Sequence, residues 1–127
     1  MMTWRIRKSR VRSFGADAAA YGPLASRALG TQAVPVKQIV GSVGRAHELR
    51  TDFLSFREGD TDLRYLRVRE IMRDDGCLPP VDLYLLEGVY YVVDGNHRVA
   101  AARSIGQAYL DAIVTEFRPA KEKICAA

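Results

Sequence analysis

The sequence predicts an α+β domain in which a small mixed sheet packs against helices. Three observations carry this expectation. Two short apolar runs, Leu83–Leu86 and Val89–Val93, flank Glu87-Gly88, a pair suited to a tight hairpin turn. An alanine-rich segment, Gly95–Ile105, follows at once and has a helix-terminating glycine at Gly106. Further strand-like runs, Val34–Val40 and Tyr109–Phe117, bracket this unit.

The remaining elements read as follows. Residues 1–15 form a basic arm or short edge strand, because Trp4, Ile6 and Lys8 alternate weakly with arginines. Residues 16–33 are expected to be a helical lead-in: Ala16–Leu29 has helical composition, although Gly22-Pro23 divides it. Pro35 marks Val34–Val40 as an edge strand or a strand start. Gly41–Gly44 reads as a loop, and Arg45–Phe56 as a helix with Ala46, Leu49 and Phe53 on its inner face. Thr61–Arg73 reads as a second helix, capped by Asp60 or Thr61, with Leu63, Leu66 and Ile71 turned inward. The main domain is placed at residues 34–117, and residues 118–127 as a polar tail.

Composition narrows the class. A chain of 127 residues, 48% hydrophobic and 27% charged, has the size and make-up of one globular domain. No apolar stretch reaches membrane-spanning length, and Ser13–Ala20 is too short and polar for a signal core. Cys77 and Cys125 form no ligand cluster, which fits a reduced, cytoplasmic protein.

The net charge of +4 is unevenly placed. Arg5, Arg7, Lys8, Arg10 and Arg12 crowd one end, whereas elsewhere basic and acidic residues balance to within one charge. The Arg5–Arg12 arm is therefore a candidate nucleic-acid contact, with Trp4 and Tyr90 or Tyr91 as stacking partners. The plainer reading is a solvated tail or edge strand.

The chemical interest lies where the Val89–Val93 run meets the alanine-rich helix, in the order Asp94, Gly95, Asn96, His97, Arg98. Gly95 leaves room for a ligand against the main chain, and the first-turn amides of a helix attract anions. Arg98 has the fork geometry for two phosphate oxygens, and His97 donates or moves a proton near neutral pH. Asp94 suits a metal ion, a substrate hydroxyl or the helix cap. The alternative is wholly structural: Asp94 or Asn96 caps the helix, His97 lies on the surface and Arg98 pairs with an acid.

The order of a VPV-type strand, a polar loop, a helix, a proline-led hairpin and DGNHRVAAARSIG before a last strand resembles the ParB/sulfiredoxin-like superfamily. The resemblance spans about 34–117, and DGNHR is its specific part. It implies a nucleotide, ATP, ADP or CTP with or without Mg2+, held by its phosphates at Gly95, Asn96, His97 and Arg98. It also turns the Gly41–Arg45 loop toward the nucleotide, making Ser42 and Arg45 candidate contacts. Sulfiredoxin chemistry needs a cysteine immediately before the His–Arg pair, where this chain has Asn96, so that activity is not expected. Chromosome-partitioning members continue into DNA-binding and dimerisation segments, for which 127 residues are expected to leave no room; a truncated piece or the partner of a separately encoded protein is the expectation, and the hydrophobic content permits a homodimer. A small-molecule kinase of the free amino acid type is the alternative, with Asp94, His97 and Glu48 as catalytic candidates and His47 or Asp52 as substitutes for Glu48. A DNA-associated domain is the third reading. A nuclease would need clustered carboxylates, and none are visible.

Overall fold

Alternating apolar residues in the second half of the chain build the centre of one six-stranded mixed sheet in the computed structural model, which describes residues 9–120. β1 (Arg12–Ser13) leads into α1 (Phe14–Ala19), then β2 (Leu24–Pro35), β3 (Ile39–Ser42), α2 (Leu63–Arg73), β4 (Val81–Leu86), β5 (Val89–Asp94), α3 (Asn96–Ser104) and β6 (Tyr109–Pro119). The spatial order is β1-β3-β5-β4-β6-β2. β4 and β5 form the expected hairpin. Glu87 and Gly88, with φ 47° and 82°, make a turn whose twist matches the strands it joins.

α2 and α3 pack together over one face of the sheet. Val99, Ala100, Ala101 and Ala102 are buried there with Val81, Leu83, Val92, Ala112 and Val114. The small alanine side chains let the helix backbone lie close to the sheet. Gln107 N–H donates to Ala102 O beyond the end of α3, and Gly106 supplies the left-handed turn (φ 73°).

The other face carries an aromatic cluster. The Phe14 ring lies 5.1 Å from Tyr84, 5.3 Å from Tyr91 and 5.2 Å from Phe117, in tilted and edge-on arrangements. Tyr91 also donates its hydroxyl to Asp17 at 2.6 Å, and Asp17 accepts from Arg12 as well. Burial, and then this hydrogen bond, push the Tyr91 phenol above its ordinary pKa.

Several expectations are corrected here. The lead-in over 16–33 is helical only at α1; from Leu24 onward it is a strand that pairs with β6 from Leu24↔Pro119 to Pro35↔Tyr109. A continuous antiparallel ladder outweighs the helix preference of scattered alanines. A bulge between Ala28 and Gly30 adds Leu29, which packs against the core. Val34–Val40 is no single strand: Pro35 ends β2, which is an edge strand, Val36–Gln38 is a 3-10 turn, and β3 begins at Ile39. β3 also takes Gly41 and Ser42 out of the expected loop. The sheet thus begins well before residue 34, and β6 carries order to Pro119.

Arg45–Phe56 is not a helix. One 3-10 turn, Ala46–Glu48, precedes a closed loop bridged at Leu49↔Ser55, with Phe53 in the left-handed region (φ 68°). The loop buries Leu49, Phe53 and Leu54 at once, a solution that matches the helical spacing of Leu49 and Phe53 without helical backbone. Arg50 braces it through Asp52, which also accepts from Leu54 N–H. α2 starts later than expected, and Asp62 is its cap in place of Asp60 or Thr61. Leu63 is 72% exposed, so the inward face is led by Tyr65.

Gly41 sits between β1 and β5, paired with both. An added Cβ there would press on the Arg12 carbonyl and the Tyr91 ring. Gly41→Ala is expected to destabilise the protein by about 1–3 kcal/mol, as overpacking does, read as a lower midpoint in urea unfolding. An unchanged midpoint would contradict this packing.

Candidate functional site

The β5–α3 junction opens onto a cleft of about 360 Å³ between α2, α3 and the loop after β3. Its geometry follows from Gly95, which caps α3 with φ 120° and no side-chain bond. A Cβ at this position would collide with the side chain of Val81. The strand can therefore turn into the helix here only because residue 95 is glycine. With no capping side chain, the amides of Asn96, His97 and Arg98 are left at the positive end of the helix.

Asn96 adds a second feature. It is buried, and its Oδ1 has no hydrogen-bond partner among the described residues. An unpaired buried acceptor is costly, so such an atom beside a cleft is a natural point for a ligand donor.

Of the residues expected at this site, Arg45, Asp94, Gly95, Asn96, His97 and Arg98 all line the cleft. Their roles differ. Arg98 donates Nη1 to the carbonyls of Pro79 (2.6 Å) and Pro80 (3.0 Å), and its Nη2 reaches Asp94 at 3.4 Å. This guanidinium therefore ties the proline segment before β4 to α3, with little of its fork left for a phosphate. Asp94, at the end of β5, is largely exposed. His97 Nε2 lies 2.9 Å from Asp62 Oδ2, and Asp62 Oδ1 accepts from the amides of Arg64 and Tyr65 at the start of α2. Burial raises the Asp62 carboxyl, but the bonds from His97 and the Arg64 amide prevail and hold it below the usual carboxylate range.

Ser42 and Glu48 are placed elsewhere. Ser42 is buried beneath the loop, with its Oγ accepting from Arg45 N–H at 3.2 Å and lying 3.5 Å from Val92 O. Glu48 sits on the 3-10 turn, half exposed, and pairs with Arg45 at 2.9 Å. His47 lies 3.5 Å from Glu48, and Asp52 is bound to Arg50.

Two cleft residues escaped the reading of the sequence. Arg64 and Arg67, three apart on α2, face the cleft and have no ion pair among the described residues. Their spacing was visible, but only the packing of α2 beside α3 turns them toward the junction. Asp62 was likewise invisible as a partner of His97.

Of the basic arm, Arg10 and Arg12 fall in the described residues, while Trp4, Arg5, Arg7 and Lys8 lie outside them, as does Cys125. Arg10 donates to His47 O and stacks near Phe56. Arg12 pairs with Asp17. Tyr90 and Tyr91 are both buried, so neither offers a stacking surface. Cys77 is exposed and free. Among the described residues no helix is long and apolar enough to cross a membrane, and no three His, Cys, Asp or Glu cluster as metal ligands.

Arg98→Ala is expected to cost about 1.5–3 kcal/mol of folding stability through its lost charge-assisted bonds, measured by urea denaturation. Wild-type stability in the variant would free Arg98 for a ligand. The Asp62 carboxyl titrates lower in the folded state than its unfolded value of about 3.9. Its stabilising contribution is present above that value and is lost as pH falls through the lower folded one. Asp62→Asn, which retains a capping side chain, should therefore destabilise the protein more at about pH 6 than at about pH 3. An equal loss at both would show that the carboxylate charge contributes nothing.

No protein-family model matches the chain, and no curated protein matches it in sequence. Among solved structures it is similar to sulfiredoxin from Arabidopsis thaliana, with 19% identity over 66% of this chain and 82% of that one, at a TM-score of 0.47. It is also similar to the C-terminally truncated chromosome-partitioning protein ParB from Caulobacter crescentus, complexed with CTP-gamma-S. There the identity is 22%, over 67% of this chain and 43% of that one, with a TM-score of 0.50. The chain thus spans less than half of that ParB chain. With its six-stranded mixed sheet and the helices packed on it, the chain has the ParB/sulfiredoxin-like fold.

Proposed function

We propose that the β5–α3 cleft binds the phosphate chain of a nucleotide. The observation that carries this reading is an uncapped helix N-terminus whose first residue, Asn96, holds an unpaired buried acceptor, opening onto a cleft rimmed by Arg45, Arg64 and Arg67. Backbone amides would take phosphate oxygens, and the guanidiniums would neutralise the added charge. The Asn96 amide oxygen calls for a donor, which a ribose hydroxyl or a base amine would supply. Asp94 is the carboxylate lining the cleft, and a magnesium ion brought with the phosphates would be shared with it.

Calorimetric titration with ATP, ADP, CTP and GTP, with and without magnesium, tests the reading. The CTP-gamma-S on the ParB neighbour makes CTP the first choice. Arg64→Ala/Arg67→Ala should weaken the best ligand at least about tenfold, the effect of about 1.4 kcal/mol, without changing the melting temperature. No binding by the wild-type protein, or equal binding by the double variant, would overturn it.

A small-molecule kinase has one observation in its favour. His97 is held at Nε2 by Asp62 and lines the same cleft, an arrangement suited to a general base. In that reading its Nδ1 would take the proton of an acceptor hydroxyl, with Glu48 as the other candidate. Release of ADP from ATP on addition of free amino acids, lost in His97→Ala, is the expected signature.

A further inference from the structure

A second cleft, of about 830 Å³, lies on the opposite side of the α2–α3 contact. Its wall is the C-terminal half of α3, and it is closed by the Val36–Gln38 turn, whose Val36 N–H donates to Ala108 O. The volume is that of a small-molecule site and not of a packing defect. Buried Tyr65, Leu54 and Ala100 give it an apolar floor, and Tyr109, a large aromatic left 57% exposed, stands at its mouth.

The charges around this floor are unbalanced. Arg50 is bound by Asp52 through two hydrogen bonds and also lies in the field of Asp60, so with Lys37 and Arg103 the cleft holds three cations to two acids. Lys37 and Arg103 line the same cleft and have no carboxylate partner among the described residues; the Arg103 guanidinium lies over the Phe53 ring, 6.0 Å away. An apolar floor beside a net positive charge complements one chemistry: an anionic head on an apolar body. A nucleotide phosphate chain fits poorly, because the floor offers a polyanion nothing to bond. A cationic ligand adds to that charge, and a neutral one leaves it unanswered.

We infer that this second cleft binds a small organic anion with an aromatic or branched apolar body, independently of the β5–α3 site. The probe is 8-anilinonaphthalene-1-sulfonate, titrated by fluorescence, with N-phenyl-1-naphthylamine as its analogue lacking the sulfonate. Backbone amide shifts in NMR spectra locate the bound probe. The expected result is saturable binding, with shifts at Lys37, Arg103, Gln107 and Tyr109, and at least tenfold weaker binding of the neutral analogue.

Lys37→Glu/Arg103→Glu, two exposed positions, should lose binding at least tenfold at an unchanged melting temperature, while Arg64→Ala/Arg67→Ala keeps it. No saturable binding by the wild type would overturn the inference. So would equal affinity in Lys37→Glu/Arg103→Glu, equal affinity for the neutral analogue, or shifts confined to residues 94–98 and α2. Because the second double variant alters only the nucleotide cleft, failure of either site leaves the other readable.

Discussion

The Asp62 carboxylate holds α2 and α3 in register. One oxygen caps α2 through the amides of Arg64 and Tyr65, and the other faces His97 in the first turn of α3. A single side chain thereby satisfies the open end of one helix and joins it to the start of the next. That joint adds to the packing of Tyr65, Leu66 and Val68 in setting Arg64 and Arg67 beside the β5–α3 junction. The same group draws His97 Nε2 inward, which determines which face of the imidazole is left for the cleft.

The candidate site is consequently built from parts with separate structural reasons to be where they are. Gly95 takes a conformation that other residues resist, and Val81 fills the space a Cβ would need. Arg98 pins the segment before β4 to α3. Ser42 fixes the loop that bears Arg45. These contacts give the amides of α3 a rigid frame, as an anion site requires, since mobile donors lose much of their attraction to the entropy of ordering them. What the frame leaves unsatisfied is concentrated: the amides of the α3 first turn, Asn96 Oδ1, and guanidiniums on the adjoining elements.

The sequence was most legible where local chemistry dominates. Glu87-Gly88, the Gly95–Gly106 helix and the last strand each announce themselves through a turn residue, a cap or a run of one period, and each stands close to where it was expected. It was least legible where distant partners decide. Residues 24–29 look helical by composition, and they belong to a strand because β6 lies beside them. Arg45–Phe56 has helical spacing, and closure of a loop over Phe53 buries the same residues. In both segments local preference, a few tenths of a kcal/mol per residue, is small against the pairing and burial supplied by the rest of the chain.

The site divides along the same line. Asp94, Gly95, Asn96, His97 and Arg98 stand together at a strand-to-helix turn because adjacency in the chain guarantees it. The packing of distant segments binds Arg98 to the carbonyls of Pro79 and Pro80 and leaves Arg64 and Arg67 at the cleft with no ion pair among the described residues. It also brings the histidine to Asp62, 35 residues away. Charge, hydrogen-bond capacity and turn chemistry are carried by each residue and are readable one at a time. Which charges remain unpaired depends on which side chains the packing brings within reach, and that is a property of the whole fold.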